Sequence, residues 1–548
     1  MTFCGGLHYN IRTQERGTVM GKIGEERGTV IGKIGEERLV ELLFAAFLIM
    51  GIAARVWRLG QVPDGMNQDE AFAAYEAYSL LRTGLDTSGY PFPVYLTAWG
   101  SGMNALESYL MIPFIALFGL EAWAVRMPQM IVGVLSLIAA YDVLKRTAGR
   151  WAGLCGMFLM AVCPWHIMLS RWALESNLAP GFLLFGLCFF LRGMEDHRFF
   201  LLSALMYGLS LYCYAAIWPF VPLALLLQAG FALRCGQLRF RGRDGLWIGL
   251  SVLTLFLLAL PLMLFLLVNW GVLHEIRLPF LSIPRLLVMR SGEFSPSGFR
   301  KNAAHVLDIL LQQRDGLIWN TPKGFGLFYY GTLPFFFVGV CRAFWELFMV
   351  LRDGKPRTLG LLAIPLFTAL FQCLCLANAN VNRMNNLWPM VVLLAAVGMW
   401  TLCARPGHHA LLAPLVLYAA LFIRFETYYF NNYVQESQWA FFYGLEDAVD
   451  IAVAREGEIQ VSPSANYVCV LFFSAHDPDE YRSTVVYTNY PNAFLAVERY
   501  GRFRFSNDTS SPDPACAYIL DRSADRAPLE AAGFTVEQYG YYWVAYHE

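Results

Sequence analysis

The chain has 548 residues, of which 57% are hydrophobic, 15% aromatic and only 15% charged. A formal net charge of −1 excludes the basic field that a nucleic-acid partner would require. Uncharged runs as long as residues 246–269 exceed what a soluble core needs and predict a polytopic membrane protein. We therefore expect its partners to be lipids and the groups that lipids carry.

The first 37 residues contain a tandem repeat, with residues 16–26 followed by the near-copy 27–37. The repeat is rich in glycine and poor in apolar residues, so it is a weak candidate for a packed helix. We expect residues 1–37 to be a disordered cytoplasmic extension or an over-extended start of the reading frame. No cleavable signal peptide is visible, so residues 40–57 are expected to remain as the first span.

Twelve apolar segments follow along the chain. They are residues 40–57, 105–118, 122–144, 152–169, 180–192, 199–216, 219–233, 246–269, 325–345, 359–376, 388–403 and 409–423. If all of them crossed the membrane, two strongly basic loops would lie opposite the basic N-terminus, against the positive-inside tendency. Placing residues 105–118 along the membrane surface removes this conflict. The pattern then predicts about eleven spans, a cytoplasmic N-terminus and an extracytoplasmic C-terminus.

Residues 38–425 are expected to form the transmembrane domain, and residues 426–548 a small extracytoplasmic α/β domain. Residues 438–454 have helical periodicity, whereas residues 467–473, 516–520 and 541–546 are apolar or aromatic runs of strand length. Most cysteines lie in or beside apolar stretches, where they are typical of small buried hydrophobic residues. Only Cys469 and Cys516, both in the C-terminal region, are candidates for a disulfide.

The predicted topology gathers the unusual polar residues on the outer face. Asp69 and Glu70 lie about ten residues beyond the first span. If Asn67 caps a helix there, the two carboxylates are simply favoured by the helix dipole. As catalytic groups they would point about 100° apart, which favours separate roles. One would deprotonate an acceptor hydroxyl, while the other would orient it or hold a divalent cation such as Mg or Mn.

A second group of polar residues follows the span 152–169. Arg171 is a candidate for gripping a lipid phosphate, because a guanidinium matches phosphate geometry, or it anchors the helix end at the interface. His166 is more often a hydrogen-bonded interfacial histidine than a base. Glu175 and Asn177 either position a sugar or cap the next helix.

Residues 378–386 form a dense polar patch, rich in asparagine, between two apolar segments. Asn382 in this patch lines a substrate site or belongs to a solvated turn. Arg383 is a second candidate for a phosphate contact.

Together these features resemble the C-superfamily (GT-C) of integral-membrane glycosyltransferases, in the branch of the protein O-mannosyltransferases and the aminoarabinose and rhizobial-type lipopolysaccharide sugar transferases. The similarity runs through the acidic pair, the surface helix 109–119, and the stretches 123–128, 148–150 and 164–171. It covers roughly residues 40–270 and continues beyond them only in hydropathy.

The resemblance implies a polyprenyl-phosphate sugar as donor, Asp69 as base, Glu70 as an aid to acceptor placement and Arg171 near the donor phosphate. The expected activity is inverting sugar transfer to an extracytoplasmic glycan, lipid or protein. A secondary transporter is the main alternative, but the charges cluster at one face and the two halves show no repeat. A non-catalytic scaffold for cell-envelope assembly is the other.

Overall fold

The computed structural model describes residues 35–289, 299–403 and 408–547. Most of the predicted N-terminal extension, residues 1–34, lies outside the described residues. Residues 35–37 belong to the first helix.

The first half of the chain is helical apart from two short hairpins. Its elements are α1 (Gly35–Val56), α2 (Gln68–Thr83), β1 (Tyr95–Leu96), β2 (Met103–Asn104), α3 (Leu106–Phe118), α4 (Ala122–Ala148), α5 (Arg150–Val162), α6 (Pro164–Leu169), α7 (Glu175–Gly193), α8 (Phe199–Ser210), α9 (Phe220–Arg234), α10 (Gly242–Asn269), β3 (Ile276–Leu278) and β4 (Leu281–Ile283).

The second half adds more helices and then a sheet domain. Its elements are α11 (Phe299–Gln312), α12 (Thr332–Asp353), α13 (Ala363–Cys375), α14 (Trp388–Cys403), α15 (Leu412–Tyr428), α16 (Val434–Ser437), α17 (Leu445–Val453), β5 (Ile459–Val461), α18 (Tyr467–Phe473), α19 (Pro478–Thr484), β6 (Val486–Tyr487), β7 (Val497–Tyr500), β8 (Phe503–Phe505), β9 (Ala517–Leu520), α20 (Ala527–Ala531), β10 (Thr535–Tyr539) and β11 (Tyr542–Tyr546).

Each of the twelve apolar segments is largely helical, which confirms the predicted helical, multi-pass membrane architecture. Within the described residues, six helical segments are long and apolar enough to cross a membrane: α1, α4, α7, α10, α12 and Thr358–Cys375. The apolar helices α3, α5, α8, α9 and α14 are shorter. The count of eleven spans stays a prediction.

Close helix packing in the bundle depends on small residues. A Cβ added at Gly339 of α12 would lie 1.8 Å from the carbonyl oxygen of Leu394 in α14. One added at Gly398 of α14 would lie 1.8 Å from the carbonyl oxygen of Phe335. The two backbones therefore touch, as small-residue interfaces allow inside membranes.

The C-terminal region contains a seven-stranded mixed sheet in the order β10-β11-β9-β5-β8-β7-β6. Strand β5 runs parallel to β8 and β9, and the remaining pairs are antiparallel. The predicted strands at 516–520 and 541–546 are confirmed as β9 and β11. The predicted helix at 438–454 is α-helical only as α17, because Phe442 and Gly444 adopt left-handed conformations.

The strand predicted at 467–473 is wrong, since these residues form helix α18. Asn466 caps it by accepting a hydrogen bond from the amide of Val468 at 3.1 Å. The helix is apolar on all sides because it is enclosed between the sheet and α2, and a short apolar run does not distinguish such a helix from a strand.

The candidate disulfide between Cys469 and Cys516 does not form, and both thiols are free. Cys469 on α18 belongs to the core on one face of the sheet, whereas Cys516 packs against the cluster around Tyr518 and Leu520 on the other face. The sheet separates them.

Helix α2 and the C-terminal region share one hydrophobic core. Polar contacts reinforce this packing: Tyr75 donates to the carbonyl of His476 at 2.9 Å, and Asn67 donates to the carbonyl of Ala440 at 3.1 Å. The start of α2, where the acidic pair lies, is therefore held between the helical bundle and the sheet domain.

Candidate functional site

The N-terminus of α2 is built as a capping box. Asn67 accepts a hydrogen bond from the amide of Asp69 at 3.0 Å, and its own amide donates to Glu70 at 3.3 Å. This satisfies amides that would otherwise lack partners at the helix start. The predicted cap by Asn67 is thus confirmed, and the box fixes the backbone of both carboxylates.

The Glu70 side chain points into the protein and forms a fully buried ion pair with Arg126 of α4. The guanidinium donates from Nε to Oε1 at 2.7 Å and from Nη2 to Oε2 at 2.9 Å. The amide of Ala173 donates to Oε1 at 2.9 Å. Both carboxylate oxygens are thereby engaged, so Glu70 does not face an acceptor as predicted. It ties α2 to α4 and to the loop before α7.

Asp69 instead lines a cavity of about 400 Å³, here called the central cavity. The cavity lies between the start of α2, the β1–β2 hairpin, the start of α7, the segment before α9, α10 and the polar patch. Its polar lining residues include Asn67, Gln68, Asp69, Ser101, Asn104, Glu175, Ser176, Asn380, Asn382 and Arg383, and its aromatic ones Tyr95, Trp99, Trp172, Tyr214, Trp218, Phe265, Trp319 and Phe494.

Four residues predicted from sequence meet in the central cavity: Asp69, Glu175, Asn382 and Arg383. Glu175 accepts hydrogen bonds from both the backbone amide and the side-chain amide of Asn104, the latter at 3.0 Å. The guanidinium of Arg383 donates to the carbonyl of Ala377 at 2.9 Å, which holds it against its own loop. The cavity therefore offers carboxylates near α2 and α7 and a cation from the polar patch.

Arg171 does not reach the cavity, contrary to the sequence prediction. Its terminal nitrogens donate to four carbonyls at the end of α1 and just beyond it, those of Ala54 and Arg55 at 3.0 Å and of Arg58 and Val62 at 3.1 Å. The guanidinium also lies 5.0 Å from the ring centre of Phe430. Arg171 is fully buried and caps the end of the first membrane helix.

His166 and Asn177 are also buried outside the cavity lining. The Nδ1 of His166 accepts a hydrogen bond from the guanidinium of Arg55 at 2.6 Å. Asn177 accepts from the side-chain amide of Asn385 at 3.0 Å, and Asn385 in turn accepts from the indole of Trp165 at 3.0 Å. The first bond joins α6 to α1, and the other two join α6 and α7 to the polar patch. His166 and Asn177 therefore hold elements around the central cavity in place without lining it.

The predicted divalent cation at Asp69 and Glu70 does not fit the donor set. The oxygens of Glu70 already accept hydrogen bonds from Arg126, Ala173 and Asn67, and a cation would have to displace the buried guanidinium. Throughout the described ranges, no group of three or more His, Cys, Asp and Glu side chains is arranged to hold a metal ion.

Sequence reasoning missed Glu107, in the first turn of α3. Its carboxyl group is buried, and neither oxygen has a hydrogen-bond partner among the described residues. Burial, together with the negative charges of Glu70, Glu175 and Asp69, raises the pKa of Glu107 well above its usual value. A carboxyl group at the start of an otherwise apolar helix was the available signal.

A second cavity, of about 300 Å³, lies on the sheet-domain side of Asp69 and is here called the outer cavity. Asp69, Gln68, Trp99 and Phe494 line both cavities. Trp99 packs on Phe72 of α2 with ring centres 4.7 Å apart, and its carbonyl accepts a hydrogen bond from the amide of Leu495 at 3.2 Å. Asp69 therefore lies on the wall between the central cavity and the outer cavity. Phe494 of the sheet domain forms part of the same wall.

A small cavity of about 50 Å³ lies in the bundle between α7, α8, α9, α13 and α14. Its walls include the apolar side chains of Pro180, Leu187 and Phe220 and the polar ones of Gln372 and Asn386. Asn386 donates to the side-chain oxygen of Gln372 at 2.9 Å. This bond joins α13 to the polar patch that carries Arg383.

Comparison with known proteins agrees with this architecture. Residues 106–264 match the model of the dolichyl-phosphate-mannose-protein mannosyltransferase family. No curated protein sequence matches the chain significantly.

Among solved structures, ArnT from Cupriavidus metallidurans in the apo state superposes with a TM-score of 0.53 at 13% identity. The alignment covers 93% of this chain and 98% of ArnT. The same protein bound to undecaprenyl phosphate also gives a TM-score of 0.53 at 13% identity, covering 92% of this chain and 97% of that one. The chain therefore has the fold of ArnT over nearly its whole length, and the predicted resemblance to the C-superfamily is confirmed at the level of the fold.

Proposed function

We propose that this protein is a membrane glycosyltransferase that moves a sugar from a polyprenyl-phosphate donor to an extracytoplasmic acceptor with inversion. The observation that carries the proposal is the position of Asp69 on the wall between the central and outer cavities. Two substrates that meet at one carboxylate from opposite sides are what an inverting transfer requires.

In the proposed step, the acceptor hydroxyl oxygen attacks the anomeric carbon from the side of Asp69. The Asp69 carboxylate takes the hydroxyl proton as the new glycosidic bond forms. The bond between the anomeric carbon and the phosphate oxygen breaks, and its electron pair leaves with the polyprenyl phosphate. The protonated carboxyl group then returns its proton to solvent. Glu70 acts only by fixing α2.

The central cavity is the proposed donor site. Arg383 is the cation there that would stabilise the departing phosphate, in place of Arg171. The structural neighbour ArnT, which has been solved with undecaprenyl phosphate, supports a donor of this class.

The outer cavity is the proposed acceptor entrance, bordered by Trp99 and Phe494. We place this side outside the cell and the N-terminus in the cytoplasm, as the basic loops predict. The donor sugar is a hexose or a pentose.

The experiment uses a strain lacking the gene, complemented with the wild-type protein or with the Asp69→Asn variant. Mass spectrometry of lipid-linked sugars and surface glycans is expected to show one sugar missing from a surface molecule in the deletion strain. Wild-type protein should restore it, while Asp69→Asn should not, although it is present in the membrane. Full restoration by Asp69→Asn would contradict the proposal and favour a scaffold role.

A further inference from the structure

A third cavity, of about 480 Å³, opens on the sheet domain beside the start of α2 and is here called the aromatic pocket. Its walls are mostly rings and polar side chains rather than aliphatic groups. They are Asn67, Gln68, Trp319, Trp439, Ala440, Phe442, Ser464, Asp521, Arg522, Ser523, Tyr541 and Tyr542.

Two tryptophans form one side of the aromatic pocket. The rings of Trp319 and Trp439 lie 6.1 Å apart at an interplanar angle of 59°. Trp439 is 58% exposed although it is large and apolar. A tryptophan that keeps an open face in a concave site is typical of ligand contact, because its ring supplies a wide apolar surface.

The opposite wall is polar and held in place by Asp521. Its carboxylate accepts hydrogen bonds from Ser462 at 2.7 Å, from Ser464, and from the amide and hydroxyl of Ser523 at 2.7 and 2.6 Å. Burial opposes ionisation here, but the bonds from Ser464, Ser523 and Ser462 lower the pKa of Asp521 to about 2. The loop that carries the next residue, Arg522, is therefore anchored.

Arg522 supplies hydrogen-bond donors to the aromatic pocket. Its guanidinium carbon lies 4.0 Å from the ring centre of Tyr541. It makes no hydrogen bond or ion pair with any residue that the structure describes, so its N–H groups remain available to a ligand. Stacking on Tyr541 orients the guanidinium without using those donors.

This combination of surfaces is suited to a carbohydrate. A pyranose ring presents an apolar C–H face to an aromatic ring and hydroxyl groups around its edge. A lipid tail would leave Arg522 and Ser523 without partners in an apolar contact. A peptide would seek backbone partners, but β11 is already paired on both sides, with β10 and β9.

The aromatic pocket adjoins the site of the proposed reaction. Gln68 lines both this pocket and the outer cavity, the proposed acceptor entrance, and Asp69 follows directly. Asn466 of the sheet domain, which also lines the outer cavity, donates to the Gln68 side chain at 2.7 Å and holds Gln68 at the border between the aromatic pocket and the outer cavity. A chain of sugars bound on Trp439 would therefore lead toward Asp69.

We propose that the aromatic pocket binds the acceptor and that the acceptor is a glycan chain. A sugar ring of this chain stacks on Trp439, its hydroxyl or carboxylate groups bind Arg522, and its reacting end reaches Asp69 through the outer cavity. This inference rests on the proposed glycosyltransferase function and names its acceptor class.

The test measures binding to the purified full-length protein by saturation-transfer NMR. The probes are mannotetraose, cellotetraose, chitotetraose and a Ser/Thr-rich decapeptide. We expect binding of at least one tetrasaccharide and about tenfold weaker binding in Trp439→Ala, the size of effect that losing a stacking aromatic face predicts. Arg522→Ala should weaken the same complex, while Trp345→Ala, which removes an exposed tryptophan on α12, should not change it.

Binding is measured in both the wild-type protein and Asp69→Asn, so it does not depend on turnover. Tetrasaccharide binding lost in Trp439→Ala supports the proposal even if no transfer is detected. If Trp439→Ala fails to fold, the tetrasaccharide affinity of Arg522→Ala tests the proposal in its place. Absence of tetrasaccharide binding, unchanged affinity in both pocket variants, or binding of the decapeptide alone would overturn the proposal.

Discussion

Glu70 and Arg126 form an ion pair from which water is excluded, with both side chains fully buried and the closest nitrogen and oxygen 2.7 Å apart. The guanidinium also donates to the carbonyls of Pro63 at 2.7 Å and Gly65 at 2.6 Å. One arginine of α4 thereby fixes both the start of α2 and the chain that leads into it. The neighbouring Asp69 depends on this arrangement for its position between the cavities.

Replacing Glu70 by Gln should destabilise the protein, because Arg126 would keep a buried charge without a counter-charge. Removing one partner of a buried pair typically costs about 3–5 kcal/mol. We expect a clear drop in the melting temperature of the detergent-purified protein, measured by tryptophan fluorescence. An unchanged melting temperature with selective loss of activity would instead assign Glu70 a direct role at the substrate.

Asp69→Asn should behave in the opposite way. The variant keeps the shape of the side chain and removes the base, so sugar transfer should fall on the order of 10²–10⁴-fold. Its melting temperature and donor binding should stay close to wild type, because asparagine keeps the size and shape of this half-buried side chain. The measurement is transfer rate in proteoliposomes beside a melting curve, with Glu70→Gln as the matched variant at the adjacent position.

The sequence placed the acidic pair correctly but did not reveal which carboxylate is exposed. That distinction depends on Arg126, which is 56 residues away and inside an apolar helix. Asn382 and Arg383 were predictable because a dense polar patch between apolar segments is costly unless it lines a cavity or meets water. Arg171 was misplaced because a guanidinium near a membrane surface can equally bind phosphate or backbone carbonyls, and only the fold brings residues 54–62 to it.

Arg171→Lys and Arg383→Lys should separate structural from substrate contacts. Lysine cannot reproduce four hydrogen bonds from a planar fork, so Arg171→Lys should lower stability by on the order of 1–3 kcal/mol without changing the KM for the lipid donor. Arg383→Lys should leave the melting temperature nearly unchanged and raise the donor KM. If Arg171→Lys alone alters the donor KM, the assignment of the phosphate contact to Arg383 is wrong.

The contact between α2 and the sheet domain should respond to pH through Glu76. Burial and the nearby Asp86 raise the pKa of Glu76 to about 8, against hydrogen bonds from Thr87 that favour the charged form. Burial likewise raises the pKa of Asp86 to about 6. Arg482 of α19 bridges this region to the sheet domain by donating to Ser79 at 3.0 Å and to Thr83 at 3.1 Å.

The sign of the effect follows from linkage. The folded protein holds protons on Glu76 and Asp86 that the unfolded chain has released, so the stability they contribute is complete below the unfolded pKa values and is lost as pH rises through the folded ones. Hydrogen exchange of α2 amides, corrected for intrinsic rates, should therefore show less protection at pH 8.5 than at pH 6. Glu76→Gln, which cannot ionise, should flatten this difference, while Asp477→Asn on the exposed cap of α19 should not. Equal pH dependence in Glu76→Gln and wild type would locate the titrating group elsewhere.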